Sequence, residues 1–294
     1  MPLHNVNRVL IQGITGREGS FWTERMQHYG TPIAAGVSPG KGGQVVHGVP
    51  VFDSVEQACH ACAPTTSVLF VPPMSVKPAA IDAMRCGLTQ LVILAEHVPV
   101  HDVMEILAEA HDRKVRILGP NCPGLVVPGH HFLGIMPAWV STIFKPGAIG
   151  VVSRSGSLGT LVCLNLVRAG LGQSAFIGIG GDPVLGTTFR DALERFEQDP
   201  ATHAVAMLGE VGGTMEEDAA AFIRGMSKPV VAFIAGSTAP EGKKMGHAGA
   251  IISGTKGTAR AKIDTLRNAG VHVADVPSQV SRIITTVLAE GPPV

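Results

Sequence analysis

Val9-Leu10-Ile11-Gln12-Gly13-Ile14-Thr15-Gly16-Arg17-Glu18-Gly19 reads as a buried strand running through a glycine turn into a helix. A turn of this kind aims backbone N–H groups and the positive end of a helix at a pyrophosphate. The glycine spacing is one residue longer than the usual dinucleotide fingerprint, so the turn by itself does not name the ligand. Working outward, short runs rich in valine and isoleucine alternate with longer helical patterns, the pattern of parallel sheets covered on both faces. Strands are predicted at Arg8 to Gln12, Pro32 to Val37, Ser67 to Val71, Gln90 to Leu94 and Val115 to Leu118, which together make a doubly wound domain of dinucleotide-binding type. Lys145-Pro146-Gly147 punctuates the chain, and a second series follows at Ala148 to Ser153, Ser174 to Ile179, Ala204 to Leu208, Val230 to Ile234 and Val271 to Ala274. The expectation is an α/β chain of two units with doubly wound parallel sheets: a Rossmann-like domain over 1–145 and a flavodoxin-like domain over 146–294. No low-complexity linker separates them, so close packing is expected.

The chain has 294 residues, 45% of them hydrophobic and 16% charged, enough to bury large cores. Its formal net charge is +0, and aromatic residues make up only 4% of it. No field or basic-aromatic pattern therefore draws it to nucleic acid or an anionic membrane. The N-terminus lacks a basic region followed by an apolar stretch, and no segment supplies about 18 uninterrupted apolar residues, so a cytoplasmic protein is expected. The five cysteines are odd in number and scattered, which argues against a disulfide framework. Cys59-His60-Ala61-Cys62 has the spacing of a metal or redox pair, but it has no second pair and sits in a helical pattern, so no metal site is expected.

Several segments at predicted strand ends have the composition of binding loops. The second strand runs into Ser38-Pro39-Gly40-Lys41-Gly42-Gly43, where an NAD site would place a carboxylate. A lysine there favours a phosphorylated ribose, that of NADP or of the 3'-phospho-ADP of coenzyme A. Pro72-Pro73 and Gly119-Pro120-Asn121-Cys122-Pro123-Gly124 follow predicted strands, as turn punctuation or as ligand loops at the carboxyl edge of the sheet. Ser153-Arg154-Ser155-Gly156-Ser157-Leu158-Gly159-Thr160 leads from strand to helix, either as a seat for a carboxylate or phosphate or as an N-cap above a buried helix. In Leu208-Gly209-Glu210-Val211-Gly212-Gly213 a lone carboxylate ends a strand between glycines. His247, one of twelve histidines, lies in Lys243-Lys244-Met245-Gly246-His247-Ala248-Gly249-Ala250 among neighbours small enough for a phosphate to approach the backbone. It is either a nucleophile for phosphoryl transfer, with Lys243 and Lys244 offsetting the incoming charge, or a histidine in an ordinary glycine-rich turn.

These motifs, in this order from Gln12-Gly13 through Gly257-Thr258, resemble the alpha subunits of NDP-forming succinate-CoA ligases and related carboxylate-CoA ligases such as malate-CoA ligase. Gly246-His247-Ala248-Gly249-Ala250 is similar to the family's phosphohistidine loop. The resemblance implies that His247 is transiently phosphorylated and that Glu210 orients it. It implies coenzyme A contacts from Thr15, Gly16, Arg17, Glu18, Lys41, Leu94, Ala95 and Glu96, with Pro72 at a neighbouring strand end. Asn121 and Cys122 fall beside the reactive end of coenzyme A, where Cys122 is a small buried residue and no nucleophile. Gly178-Ile179-Gly180-Gly181-Asp182-Pro183 takes a backbone role near the phosphate. Ser155, Gly156, Ser157 and Thr160 face the acyl substrate.

The family's succinate enzymes typically place Leu-Thr-Tyr-Glu where this chain has Leu158-Gly159-Thr160-Leu161, which leaves malate, citrate or another short carboxylate open beside succinate. Gly236 to Lys244 has five residues between its glycines and a lysine where a Walker loop has serine or threonine, so it is not a triphosphate loop. The resemblance assigns ATP or GTP with Mg2+ to a beta subunit carrying an ATP-grasp domain. It implies a catalytic chain working through phosphohistidine and acyl phosphate; a non-catalytic CoA-binding regulatory module and an NADP-dependent dehydrogenase are the other readings.

Overall fold

Apolar runs such as Val9–Gln12 and Thr66–Leu69 are buried at every residue, which requires helices on both faces of the sheet they form. A computed structural model of the chain describes residues 8–238, 242, 245–252 and 257–290. In order along the first part come β1 (Val9–Gln12), α1 (Arg17–Tyr29), β2 (Ile33–Val37), β3 (Val45–Val46), β4 (Val49–Phe52), α2 (Val55–Cys62), β5 (Thr66–Leu69), α3 (Val76–Arg85), β6 (Gln90–Ile93), α4 (Val100–Arg113) and β7 (Arg116–Leu118). Their sheet has the order β3-β4-β2-β1-β5-β6-β7 and is parallel apart from β3. Setting β3 aside, this is the doubly wound 3-2-1-4-5-6 order, with its switch point between β1 and β5.

The second sheet is built from β8 (Gly124–Val127), β9 (His131–Gly134), β10 (Pro146–Ser153), β11 (Gln173–Gly178), β12 (Ala204–Glu210), β13 (Val230–Ala235) and β14 (His272–Ala274). Helices α5 (Gly156–Arg168), α6 (Phe189–Gln198), α7 (Met215–Ile223), α8 (Ala259–Asn268) and α9 (Gln279–Glu290) cover it. Its order is β14-β13-β12-β10-β11-β8-β9, so β10 to β14 follow the flavodoxin-like 2-1-3-4-5 arrangement and the β8–β9 hairpin pairs antiparallel with β11. The fold class anticipated from sequence is the one observed, an α/β chain with two parallel-dominated sheets.

Two hairpins escaped the sequence reading. Strand β3 is two residues long and β4 contains Pro50, a residue that argues against a strand interior. Strands β8 and β9 begin and end on glycine and flank Pro128-Gly129, so they read as loop. The consequence concerns the division near residue 145: β8 and β9 precede it in the chain and yet belong to the second sheet.

One buried apolar cluster runs through both sheets. Helix α1 packs on β9, where Trp22 and Tyr29 meet the ring of Phe132 edge-on, and the Thr31 hydroxyl donates to the Phe132 carbonyl at 2.8 Å. At a second seam, the Gly186 N–H donates to the Gly119 carbonyl at 2.9 Å and the Thr187 hydroxyl to the Ile117 carbonyl at 2.6 Å. Among the described residues no helix is long and apolar enough to cross a membrane.

Candidate active site

The first part of the site is the turn after β1. Gly13 adopts φ +82°, and a Cβ there would lie 2.3 Å from the Phe70 carbonyl oxygen, so only glycine fits. Gly19, on α1, packs against the Gly13 carbonyl in the same way, which seats the helix directly on the strand end. No side chain caps α1, whose N-cap is Gly16. A cavity of about 480 Å³ opens there, lined among others by Gly13, Thr15, Gly16, Ser38, Pro72 and Ser75. It lies at the switch point between β1 and β5, where open α/β sheets bind ligands. Lys41 is exposed in the loop beyond Pro39, and that loop is tied down because the Gly42 N–H donates to Asp53 Oδ1 at 2.8 Å. Asp53, just past β4, also lines the cavity and was not singled out from the sequence, because β4 itself was not recognised.

Of the other residues assigned to this ligand, Arg17 and Glu18 are exposed in the first turn of α1, where the Glu18 carboxylate accepts from the Trp22 indole at 3.2 Å. Leu94, Ala95 and Glu96 follow β6 and do not line the cavity. They are joined instead to the loop after β7: the Asn121 N–H donates to the Ala95 carbonyl at 2.9 Å. Asn121 has φ +50°, a left-handed conformation that asparagine tolerates better than most residues. Cys122 is buried, its Sγ directed at the Ile93 carbonyl 3.3 Å away, and burial pushes its thiol up to about 12. A thiol so far from ionisation is no nucleophile at neutral pH.

The second part of the site gathers at the carboxyl ends of β10, β11 and β12. Glu210, the last residue of β12, holds His247 Nδ1 between its two carboxylate oxygens at 2.9 and 2.8 Å. The imidazole is 29% exposed and the carboxylate 10%, so the pair is sheltered but reachable from outside. Nδ1 is committed to Glu210, which leaves Nε2 as the nitrogen available for chemistry. The hydrogen bond to Glu210 raises the His247 pKa above the ordinary histidine value; burial and the Arg154 charge oppose it, and the charges of Glu210 and Glu96 add to it. Glu96, the smallest of these influences, belongs to the loop after β6.

Gly181 forms the wall behind the ring: a Cβ on it would lie 2.3 Å from His247 Cγ. The same segment is bonded in both directions, the Gly249 N–H donating to the Gly181 carbonyl at 2.9 Å and the Gly181 N–H to the Asn121 carbonyl at 3.3 Å. Asn121 Nδ2 also donates to Asp182 Oδ1 at 2.8 Å. The loop after β7 and the loop of His247 are thereby brought to one place through Gly181-Asp182. Lys243 and Lys244, expected to offset the incoming charge, lie outside the described residues.

Ser155 caps α5, its hydroxyl accepting from the Leu158 N–H at 3.4 Å and lying 3.1 Å from Ser157 Oγ. A Cβ on Gly156 would be 3.1 Å from the Pro123 ring, which places the start of α5 against the Asn121-Cys122-Pro123 loop. The Thr160 hydroxyl donates back to the Gly156 carbonyl at 2.8 Å. Gly159 faces inward, where a Cβ would lie 2.4 Å from the Phe176 ring, so core packing requires a small residue there. Arg154, Glu216 and Lys262 were not anticipated in the site. Arg154 stood inside a motif read for its hydroxyls, and the other two carry no local signal.

Residues 4–97 match the CoA binding domain family and residues 152–272 the CoA-ligase family. The chain is 50% identical over 281 residues to subunit alpha 2 of the ADP-forming succinate-CoA ligase of Archaeoglobus fulgidus, covering 96% of this chain and 97% of that one. It is 52% identical over 273 residues to the alpha subunit of the same enzyme from Methanothermobacter thermautotrophicus, covering 93% and 92%. Among solved structures, ATP citrate lyase from Methanothrix soehngenii in complex with citrate and coenzyme A superposes with a TM-score of 0.87 at 23% identity. That match covers 98% of this chain and 51% of the other, and at this identity it speaks for the fold alone.

Proposed function

The chain belongs to the family of ADP-forming succinate-CoA ligase alpha subunits, and from that premise we propose that it carries a phosphoryl group on His247 Nε2 to make succinyl-CoA. The observation that carries this reading is the His247–Glu210 pair, with Nδ1 held at 2.8 and 2.9 Å and Nε2 without a hydrogen-bond partner among the described residues. In the first step Nε2 attacks the γ-phosphorus of ATP or GTP and the nucleoside diphosphate leaves. Positive charge grows on the imidazole as the N–P bond forms, and the Glu210 carboxylate is fixed where it stabilises that charge. A succinate carboxylate oxygen then attacks the phosphorus, giving succinyl phosphate and free His247. Finally the sulfur of coenzyme A attacks the acyl carbon and inorganic phosphate departs.

Coenzyme A is assigned to the cavity at the switch point, with contacts from Thr15, Gly16, Arg17, Glu18 and Pro72 and with Lys41 at its 3'-phosphate. The loops of Leu94, Ala95, Glu96, Asn121 and Cys122 lead from there toward His247. Ser155, Gly156, Ser157 and Thr160 at the start of α5 are assigned to succinate, with malate or another short carboxylate as the second reading that Thr160 and Leu161 keep open. The nucleotide and Mg2+ fall to an ATP-grasp beta subunit, and the chain divides near residue 145 into a CoA-binding unit and a ligase unit, with the β8–β9 hairpin reaching across that point into the second sheet. A cytoplasmic location belongs to the same reading. Incubating the chain with its partner, Mg-ATP, coenzyme A and a panel of carboxylates tests the reading; formation of no CoA thioester from any of them would refute it.

The lysine assignment makes a separate prediction. Lys41→Ala should weaken coenzyme A by about tenfold while leaving dephospho-CoA nearly unaffected, because a charge-assisted contact to the 3'-phosphate is lost in one ligand and absent in the other. Calorimetry on both ligands measures this, and equal losses would move Lys41 away from the 3'-phosphate.

A further inference from the structure

Glu210 is the outer end of a chain of buried ions. Arg154 follows β10, is 2% exposed, and brings Nε to 3.2 Å from Glu210 Oε1 without a hydrogen bond at that nitrogen. Its Nη1 donates to the Gly212 carbonyl at 3.2 Å and lies 3.7 Å from Glu216 Oε1. Glu216, in the first turn of α7, is fully buried; its Oε1 accepts from the Glu210 N–H at 3.1 Å, and its Oε2 is paired with Lys262 Nζ. Lys262, on α8, is fully buried as well and also meets Glu217 Oε2 at 3.2 Å. Negative and positive charges thus alternate from Glu210 through Arg154, Glu216 and Lys262 to Glu217. Apolar side chains of similar volume would join α7 to α8 at least as well as such ions do, so packing alone does not account for them.

We infer that Lys262 is a positioning residue for phosphoryl transfer: through Glu216 it divides Arg154 between two carboxylates and so sets how firmly Glu210 grips His247 Nδ1. The charged groups that act on the imidazole, among the described residues, are Glu210, Arg154 and Glu96, with Asp182 beside its Gly181 wall and bound to Asn121. Arg154 is the cation among them. Whatever draws Arg154 toward Glu216 leaves Glu210 to His247, and whatever releases Arg154 from Glu216 turns it onto Glu210. Lys262 controls that choice because it neutralises Glu216 from the other side.

The inference rests on His247 being the phosphoryl carrier, and its test separates the two claims. In Lys262→Met, Glu216 loses its cation and attracts Arg154, so the histidine holds its proton more firmly. Both the acid limb of His247 labelling and the NMR titration of its imidazole in the full chain should rise by about half a pH unit or more. In Glu216→Gln/Lys262→Met one buried charge of each sign is removed and volume is kept, and Glu217, whose side chain is 20% exposed, can turn to water, so folding is retained. Arg154 then turns wholly to Glu210, and the titration should fall below wild type. Opposite displacements support the inference, and the fall in the double variant decides it should the single variant not fold. A double variant that titrates like wild type overturns it, since a merely structural role leaves the imidazole unmoved. The titration needs no nucleotide, so failure of wild type to label with Mg-ATP would sink the carrier role without touching this result.

Discussion

Mixed with the beta subunit proposed as its partner and Mg-ATP or Mg-GTP, the wild-type chain should gain one acid-labile, alkali-stable phosphate on His247, and His247→Asn should gain none. Asparagine approximates the size of the side chain but offers no lone pair comparable to that of Nε2, so labelling should fall below about one thousandth of wild type. Intact-mass analysis before and after acid treatment reads the result directly. The rate should also depend on pH in a definite sense. Nε2 attacks only when unprotonated, and the pKa of His247 is raised by its hydrogen bond to Glu210, so labelling should climb through a midpoint above the ordinary histidine value. Glu210→Gln removes that hydrogen bond to a charge and the charge itself, so the midpoint should move to lower pH while the plateau rate drops on the order of a hundredfold. Label on His247→Asn, or a Glu210→Gln midpoint at or above that of wild type, would contradict the assignment.

The parts of this molecule that sequence disclosed are those where one residue type has one physical reason to be there. Val9 to Gln12 reads as a buried strand and Gly13 as a turn, and the structure gives the reason for that glycine: a positive φ and close approach to the Phe70 carbonyl. His247 and Glu210 were legible because each stands among glycines, where a side chain with chemistry has no packing reason to exist. Their meeting across 37 positions of chain was supplied by the resemblance and not by any spacing. The geometry explains that meeting: β12 ends at Glu210, and the Gly249–Gly181 hydrogen bond folds the histidine loop back over it.

What stayed hidden depends on partners far apart in the chain. Glu216 and Lys262 look like solvated helix charges until α7 and α8 pack together and bury them both. The β8–β9 hairpin carries glycine and proline at its ends because its two strands and β11 approach closely there: a Cβ on Gly124 would lie 1.9 Å from the Leu133 carbonyl oxygen of the facing strand, and one on Gly178 in β11 would lie 2.2 Å from the Pro123 ring. Local propensity reads such residues as loop, and only tertiary contact turns them into strand. At Gly159, whose departure from the usual family residue belongs to the reading of the substrate seat, the Phe176 ring beneath supplies a packing reason for a small residue that the sequence does not show.

Gly181→Ala should separate the histidine's chemistry from the protein's stability. No positive φ distinguishes Gly181, unlike its neighbour Gly180 at +110°, so alanine adds no backbone strain at this position. The new methyl meets the imidazole itself, 2.3 Å from Cγ and 2.6 Å from Nδ1, and not a backbone atom. A ring at the end of a side chain can swing aside at little cost to the fold, but it cannot do so and keep Nδ1 between the two oxygens of Glu210. A displacement of about 1 Å at a reacting centre is enough to lose roughly a hundredfold in rate, and labelling of His247 should fall by about that factor. Coenzyme A affinity should hold, because the cavity proposed for it lies at the end of the other sheet, and the melting temperature should move by no more than a few degrees. By contrast, a Cβ on Gly212 would collide with the Gly249 carbonyl oxygen at 2.1 Å, a clash with backbone that no side-chain rotation relieves. Quench-flow labelling with Mg-ATP in the complex measures the loss in Gly181→Ala. A stable variant that labels at the wild-type rate would show that the Glu210 grip on Nδ1 does not govern phosphoryl transfer, and the role assigned to Glu210 would have to be abandoned.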